Sequence, residues 1–123
     1  RLKDTIIRGG HNIYPAAIEA MALRHPHVHQ AACIPVPDSR LGERACLAVK
    51  GPVEWDALLA HLRESGLSRY DMPEYVLRLD EFPMTASGKL LKRRLVDMVV
   101  SQVLRIEPVA GTVSKSRPAA AAG

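Results

Sequence analysis

Lys89 is the residue of this chain best placed to do chemistry. It closes the segment Phe82-Pro83-Met84-Thr85-Ala86-Ser87-Gly88-Lys89. Pro83 stiffens that segment, Thr85 and Ser87 add hydroxyls, and Gly88 removes a side chain beside the lysine so that a ligand can approach the backbone. A lysine ammonium is a compact point charge that suits phosphate and carboxylate oxygens. By residue type alone the favoured reading of the same segment is a surface turn with a solvated lysine, since surface lysines on loops are the rule. Gly9-Gly10 is the second candidate, because a turn without side chains lets a slender ligand pass against the backbone; it also reads as a plain hairpin turn. Neither segment is a G-x-x-x-x-G-K-[ST] phosphate loop or a G-x-G-x-x-G fingerprint, so the chain has no nucleotide cradle of its own. His25, His27 and His29 form an H-x-H-x-H run. Pro26 breaks its geometry and no carboxylate or cysteine stands beside it, so no metal site is expected. Lys92-Arg93-Arg94 stands at the positive end of a helix, which fits either an anion nearby or a solvated helical face.

The elements that must position these residues follow from patterning. Thr5 to Arg8 is β-prone, turns at Gly9-Gly10 and continues through His11 to Tyr14, which predicts a short hairpin. Pro15 opens a helix with Ile18, Met21 and Ala22 inward, stopped at His25-Pro26. Val28 to Val36 and Gly42 to Lys50 read as two antiparallel strands, with Pro35 and Pro37 placing the end of the first at a sheet edge. Trp55, Leu58, Leu59 and Leu62 fall at helical spacing, with Gly66 past the end. Tyr75 to Asp80 alternates and predicts a half-buried strand. The loop Glu81 to Lys89 leads into a last helix with Leu91, Leu95, Met98 and Val99 inward and Pro108 as its outer limit. The order predicts an α+β fold, a small three-stranded sheet with packed helices plus a short N-terminal β-hairpin. The domain is expected over residues 1–107, with 108–123 as a mobile tail.

Composition sets the limits. The chain has 123 residues, 47% hydrophobic and 24% charged, which suits one globular domain. Its apolar stretches are too short for a transmembrane helix, so no membrane span is expected. A net charge of +4 is compatible with phosphate-bearing partners but too mild to argue for nucleic acid, and none is expected. Cys33 and Cys46 lack metal-ligand and C-x-x-C spacing and lie in apolar runs, so they read as buried free thiols. That suits a reducing compartment, most simply the cytoplasm. The start, Arg1-Leu2-Lys3-Asp4, has no Met and no apolar signal segment, as in a fragment whose larger upstream part lies outside the chain.

Three stretches together resemble the C-terminal domain of the AMP-forming acyl-CoA synthetase superfamily: RLKDTIIRGGHNIYPAAIEA, HPHVHQAACIPVPDSRLGERACLAV and LSRYDMPEYVLRLDEFPMTASGKLLKRRL. The resemblance covers residues 1 to about 95 and fades beyond Val96. It implies a ligase that activates a carboxylic acid with ATP as acyl-AMP and transfers the acyl group to CoA, as in fatty acid metabolism. ATP and CoA would be co-substrates. Mg and the acid pocket would be held mainly by a large N-terminal domain absent from this chain, which would also be its partner. Lys89 matches the catalytic lysine of the P-x-T-x-x-G-K motif, which contacts the acid and the adenylate. Lys3 falls at the hinge position, and Arg1 matches an arginine just before it that contacts the nucleotide. Gly9 and Gly10 match the loop that lines the tunnel for the CoA thiol after the domain rotates. The fragment alone is expected to be inactive. Two other readings stand beside this one: an adenylation domain that loads a carrier protein, and a non-catalytic basic α+β binding module.

Overall fold

The structure is a computed structural model, and it describes residues 5–109. The elements run β1 (Ile6–Arg8), β2 (His11–Ile13), α1 (Pro15–Leu23), β3 (Gln30–Asp38), β4 (Gly42–Lys50), α2 (Trp55–Glu64), β5 (Tyr75–Arg78), α3 (Lys92–Val100) and β6 (Glu107–Pro108). The expected α+β fold is present. β3 and β4 form a long antiparallel hairpin in register from Gln30↔Lys50 to Asp38↔Gly42, and β5 lies parallel to β4 from Cys46↔Tyr75 to Val49↔Arg78. The N-terminal hairpin joins this sheet where Arg8 pairs with Gly42, and β6 pairs with β5 on its other side. The expected three strands are therefore the centre of a six-stranded sheet, β2-β1-β4-β5-β6, with β3 on the far side of β4.

Alternation along the strands sorts the core onto the two faces of the sheet. Cys33, Ala45, Leu47, Val49 and Val76 pack with Ile18 and Ala22 of α1 and Leu58, Leu59 and Leu62 of α2. Ala32, Ile34, Val36, Cys46, Ala48, Tyr75 and Leu77 pack with Leu95 and Val99 of α3 and with Phe82. The two cysteines are buried and unpaired on opposite faces, and burial pushes the Cys33 thiol up to about 12. Pro35 and Pro37 are tolerated because β3 pairs only with β4, so neither missing N–H interrupts a ladder. That open edge is closed from outside. Glu19 of α1 accepts a hydrogen bond from the Cys33 N–H at 2.8 Å and an ion pair from Lys92 of α3 at 2.6 Å.

Three expectations need correction. β5 is buried on both faces, because Val76 points under α1 and α2 while Tyr75 and Leu77 point under α3. Alternation with Arg78 and Asp80 described its outer end, not its centre. Leu91 precedes α3 and is exposed, so it does not face the core. β6 carries the sheet through Pro108, and Val109 is buried, so the boundary expected after residue 107 falls within a strand. The rest of the expected tail, 110–123, lies outside the described residues.

Candidate functional site

Lys89 stands on a miniature hairpin. Met84 and Leu90 form its bridge, the Thr85 N–H donates to the Lys89 carbonyl at 2.7 Å, and the Leu91 N–H donates to the Pro83 carbonyl at 2.8 Å. The Thr85 hydroxyl is the internal brace: its Oγ1 accepts from the Lys89 N–H at 3.0 Å and lies 3.0 Å from the Ser87 hydroxyl. Gly88 takes a positive φ of 90°, which a side chain would strain. The backbone on both sides of the lysine is thus fixed while its side chain is exposed, and among the described residues it has no ion pair. An unpaired ammonium on a fixed backbone can neutralise oxygens brought to it.

Gly9 and Gly10 form the two-residue β1–β2 turn with φ of 55° and 88°, both left-handed, as a tight hairpin of right-twisted strands demands. The Gly9 N–H donates to the Leu41 carbonyl at 2.8 Å, and a Cβ on Gly9 would press on Leu41. A Cβ on Gly10 would meet nothing, so among the described residues no packing demands glycine there.

The two candidates lie at opposite ends of the β3–β4 hairpin. The glycine turn sits by Leu41 and Gly42, at the β3–β4 turn. The base of the Lys89 hairpin lies by Gln30, whose Nε2 is 3.8 Å from the Met84 sulfur. From Gln30 to Asp38 is eight strand steps, roughly 26 Å. The remaining two site residues expected from sequence, Arg1 and Lys3, lie outside the described residues.

A cluster that sequence reasoning did not single out supports the glycine end. Arg44 is 1% exposed, with Nε 2.6 Å from Asp38 Oδ2 and Nη1 paired to Glu74 Oε2. Glu74, 3% exposed, also takes Arg8 Nε on Oε1 and Arg8 Nη2 on Oε2 at 3.1 Å. Asp38 Oδ1 accepts the N–H groups of Arg40 and Leu41, each at 2.9 Å. Burial pushes the Asp38 carboxyl up, but the Arg44 hydrogen bond and those two N–H groups outweigh it, and it titrates below its ordinary range. The Glu74 hydrogen bond raises Arg8. The signal available beforehand was charge inside otherwise apolar strands: Arg44 within β4, and Glu74 next to β5.

The histidine run does not gather as a group. The His25 ring lies 5.2 Å from that of His61 and 5.5 Å from that of His27, and the His61 Nε2 lies 2.8 Å from the Met21 carbonyl oxygen. Burial, then the neighbouring His61 and His27, hold the His25 imidazole below its ordinary range. Among the described residues no group of three or more His, Cys, Asp or Glu could hold a metal ion, and no helix is long and apolar enough to cross a membrane. Of the basic run, Lys92 is paired with Glu19, while Arg93 and Arg94 are exposed and line a shallow groove of about 450 Å³ with Leu91, Asp97 and Met98.

Residues 17–89 match the family described as the AMP-binding enzyme C-terminal domain. The chain is 38% identical over 108 residues to the 2,3-dihydroxybenzoate-AMP ligase of Bacillus subtilis (strain 168), covering 85% of this chain and 20% of that protein. It is 33% identical over 106 residues to the mitochondrial medium-chain acyl-CoA ligase ACSF2 of Danio rerio, covering 84% and 18%. Among solved structures, a Mycobacterium tuberculosis fatty acyl CoA synthetase superposes with a TM-score of 0.77 at 34% identity, over 83% of this chain and 21% of that one. The chain spans about a fifth of the length of the curated relatives it matches.

Proposed function

This chain belongs to the AMP-binding enzyme C-terminal domain family, and from that premise we propose that it is the mobile C-terminal domain of an acyl- or aryl-CoA synthetase. In this reading the whole enzyme activates a carboxylic acid with ATP as acyl-AMP and then transfers the acyl group to CoA. A large N-terminal domain supplies most of the nucleotide pocket, the acid pocket and any Mg site. Two buried free thiols support a reducing, cytoplasmic setting.

The observation that carries the reading is the separation of two differently built ends on one sheet. Lys89 is exposed and, among the described residues, unpaired on a braced backbone, as a cation must be if it is to meet the carboxylate and the α-phosphate oxygens while charge builds on phosphorus. The glycine turn at the far end offers backbone without side chains, as a narrow thiol-bearing arm requires. A single rigid sheet cannot present ends roughly 26 Å apart to one reacting centre at once, so the domain has to turn between the two half-reactions. Arg1 and Lys3 fall in the chain where such a turn would pivot, with Lys3 at the hinge and Arg1 on the nucleotide.

The test is the whole enzyme carrying this chain, assayed with a panel of carboxylic acids. One or more acids should support ATP–pyrophosphate exchange, and CoA should then give a thioester and AMP. If no acid supports exchange, or if exchange is independent of residues 5–109, the reading fails. Exchange with a carrier-bound thiol as the acceptor, and none with CoA, would move the assignment to a carrier-loading enzyme.

A further inference from the structure

Glycine-rich turns are easily bent, because each glycine has access to backbone conformations closed to other residues. Gly9 and Gly10 are both exposed, and neither has a side chain to anchor it. What holds them is a closed circuit. The Gly9 N–H donates to the Leu41 carbonyl, and the Leu41 N–H donates to Asp38 Oδ1. Asp38 Oδ2 takes Arg44 Nε, Arg44 Nη1 reaches Glu74 Oε2, and Glu74 Oε1 takes Nε of Arg8, the residue next to Gly9. A side arm adds to it: Glu43 Oε1 accepts the Ile7 N–H at 2.9 Å.

Three members of this ring, Asp38, Arg44 and Glu74, are between 1% and 5% exposed. Burying charges costs desolvation, and apolar side chains of similar size would often serve stability as well. Charges do something that apolar packing does not: an arginine fork on a carboxylate fixes direction as well as distance. The ring lies at the glycine end of the sheet, while the Lys89 hairpin has its own brace in Thr85, Pro83 and Gln30.

We propose that Arg8, Asp38, Arg44 and Glu74 are positioning residues for the thiol-transfer half-reaction, a buried ionic ring that locks the glycine turn in the pose a thiol-bearing arm can pass. This rests on the reading of Gly9 and Gly10 given above and adds to it the device that sets their geometry. None of the four touches substrate. They act through the turn.

The experiment uses the whole enzyme with Glu74→Gln, which keeps shape and removes charge, and Arg8→Gln, which releases the turn while leaving the buried Arg44–Glu74–Asp38 chain intact. Three quantities are read: ATP–pyrophosphate exchange, single-turnover thioester formation from preformed acyl-adenylate at saturating CoA, and hydrogen exchange at the Gly9 and Gly10 amides. Both variants should slow thioester formation by about 10- to 100-fold, the scale of a misplacement near 1 Å. Pyrophosphate exchange should stay within about twofold, and amide exchange at the turn should rise. Arg8→Lys, which keeps the charge without the fork, should recover only part of the rate. If Glu74→Gln fails to fold, Arg8→Gln alone decides. Thioester formation unchanged in Arg8→Gln, or lost in step with pyrophosphate exchange, overturns the proposal. Gly10→Leu separates the two layers of inference. If it too leaves thioester formation unchanged, the thiol-path reading itself is wrong; if it slows that step while Arg8→Gln does not, only the ring is wrong.

Discussion

The two ends of the β3–β4 hairpin handle cations in opposite ways. At one end Arg44 is held between Asp38 and Glu74 and is 1% exposed, and Glu74 also takes Arg8. At the other, Lys89 is exposed and has no ion pair among the described residues, and the work of holding its loop falls to hydroxyls and backbone groups around Thr85. The difference separates architecture from chemistry. A cation already satisfied by two carboxylates has nothing left for a ligand, whereas a cation that must stabilise developing charge has to be held in place by neutral groups. Rigid backbone and available charge coexist at Lys89 because Thr85 bonds the lysine's backbone and not its ammonium.

The sharpest way to break this contrast is to remove the available charge. Lys89→Ala should cut acyl-adenylate formation in the whole enzyme by about 10²–10³, the scale of losing one preorganised charge contact, as read by pyrophosphate exchange. The ring should respond in stability instead. Asp38→Asn leaves Arg44 short of a partner and should cost about 3 kcal/mol in denaturant unfolding at neutral pH. The sign with pH follows from the depressed Asp38 carboxyl. Its contribution is fully present above the unfolded value and disappears as pH falls through the folded one, so the gap between wild type and Asp38→Asn should hold down to about pH 4 and close only in stronger acid. A gap that persists in strong acid would show that the carboxylate charge is not what holds that end.

Between these effects lies the backbone near the Lys89 end. Gly51 has a φ of 134°, and a Cβ there would lie 2.2 Å from the His27 carbonyl oxygen, close to where the His29 N–H meets the Lys50 carbonyl. Gly51→Ala should therefore lose about 2 kcal/mol or more, measured by thermal or denaturant unfolding. An unchanged midpoint would mean that this corner yields freely. Gly10→Leu should have a smaller effect on stability, because among the described residues nothing lies within 4 Å of a Cβ there and the cost is the φ of 88°. Its effect should fall on thioester formation. The smallest response is expected from the cysteines. With Cys33 buried and its thiol pushed up to about 12, and the Cys46 thiol also raised well above its ordinary value by burial, neither should react with a thiol reagent in the native protein at pH 8. Stoichiometric labelling without unfolding would contradict the packed sheet on which both ends depend.

The order of elements and the Gly9-Gly10 hairpin were legible in the sequence because each carried its own local signal: paired glycines, Pro15 at a helix start, and apolar spacing from Trp55 to Leu62. The edge position of β3 was legible in Pro35 and Pro37. Local signals could not show that Val76 is as buried as Tyr75 and Leu77, since that depends on helices from distant parts of the chain covering both faces. β6 escaped notice because two residues, one of them proline, carry no period; only the exposed edge of β5 makes them a strand. The site divides in the same way. Lys89 and Gly10 could be named as candidates from motif residues, but the ring could not: Arg44 inside one apolar strand and Glu74 beside another hint at buried charge, yet nothing local shows that Arg8, Asp38, Arg44 and Glu74, from four separate segments, meet.

The most direct measurement crosses the two ends with the two half-reactions. Lys89→Ala and Gly10→Leu are each assayed for pyrophosphate exchange and for thioester formation from preformed acyl-adenylate. The expected result is a crossing: Lys89→Ala loses the first and retains the second, and Gly10→Leu does the reverse. Parallel losses in both half-reactions, in either variant, would contradict a domain that serves each step with a different end.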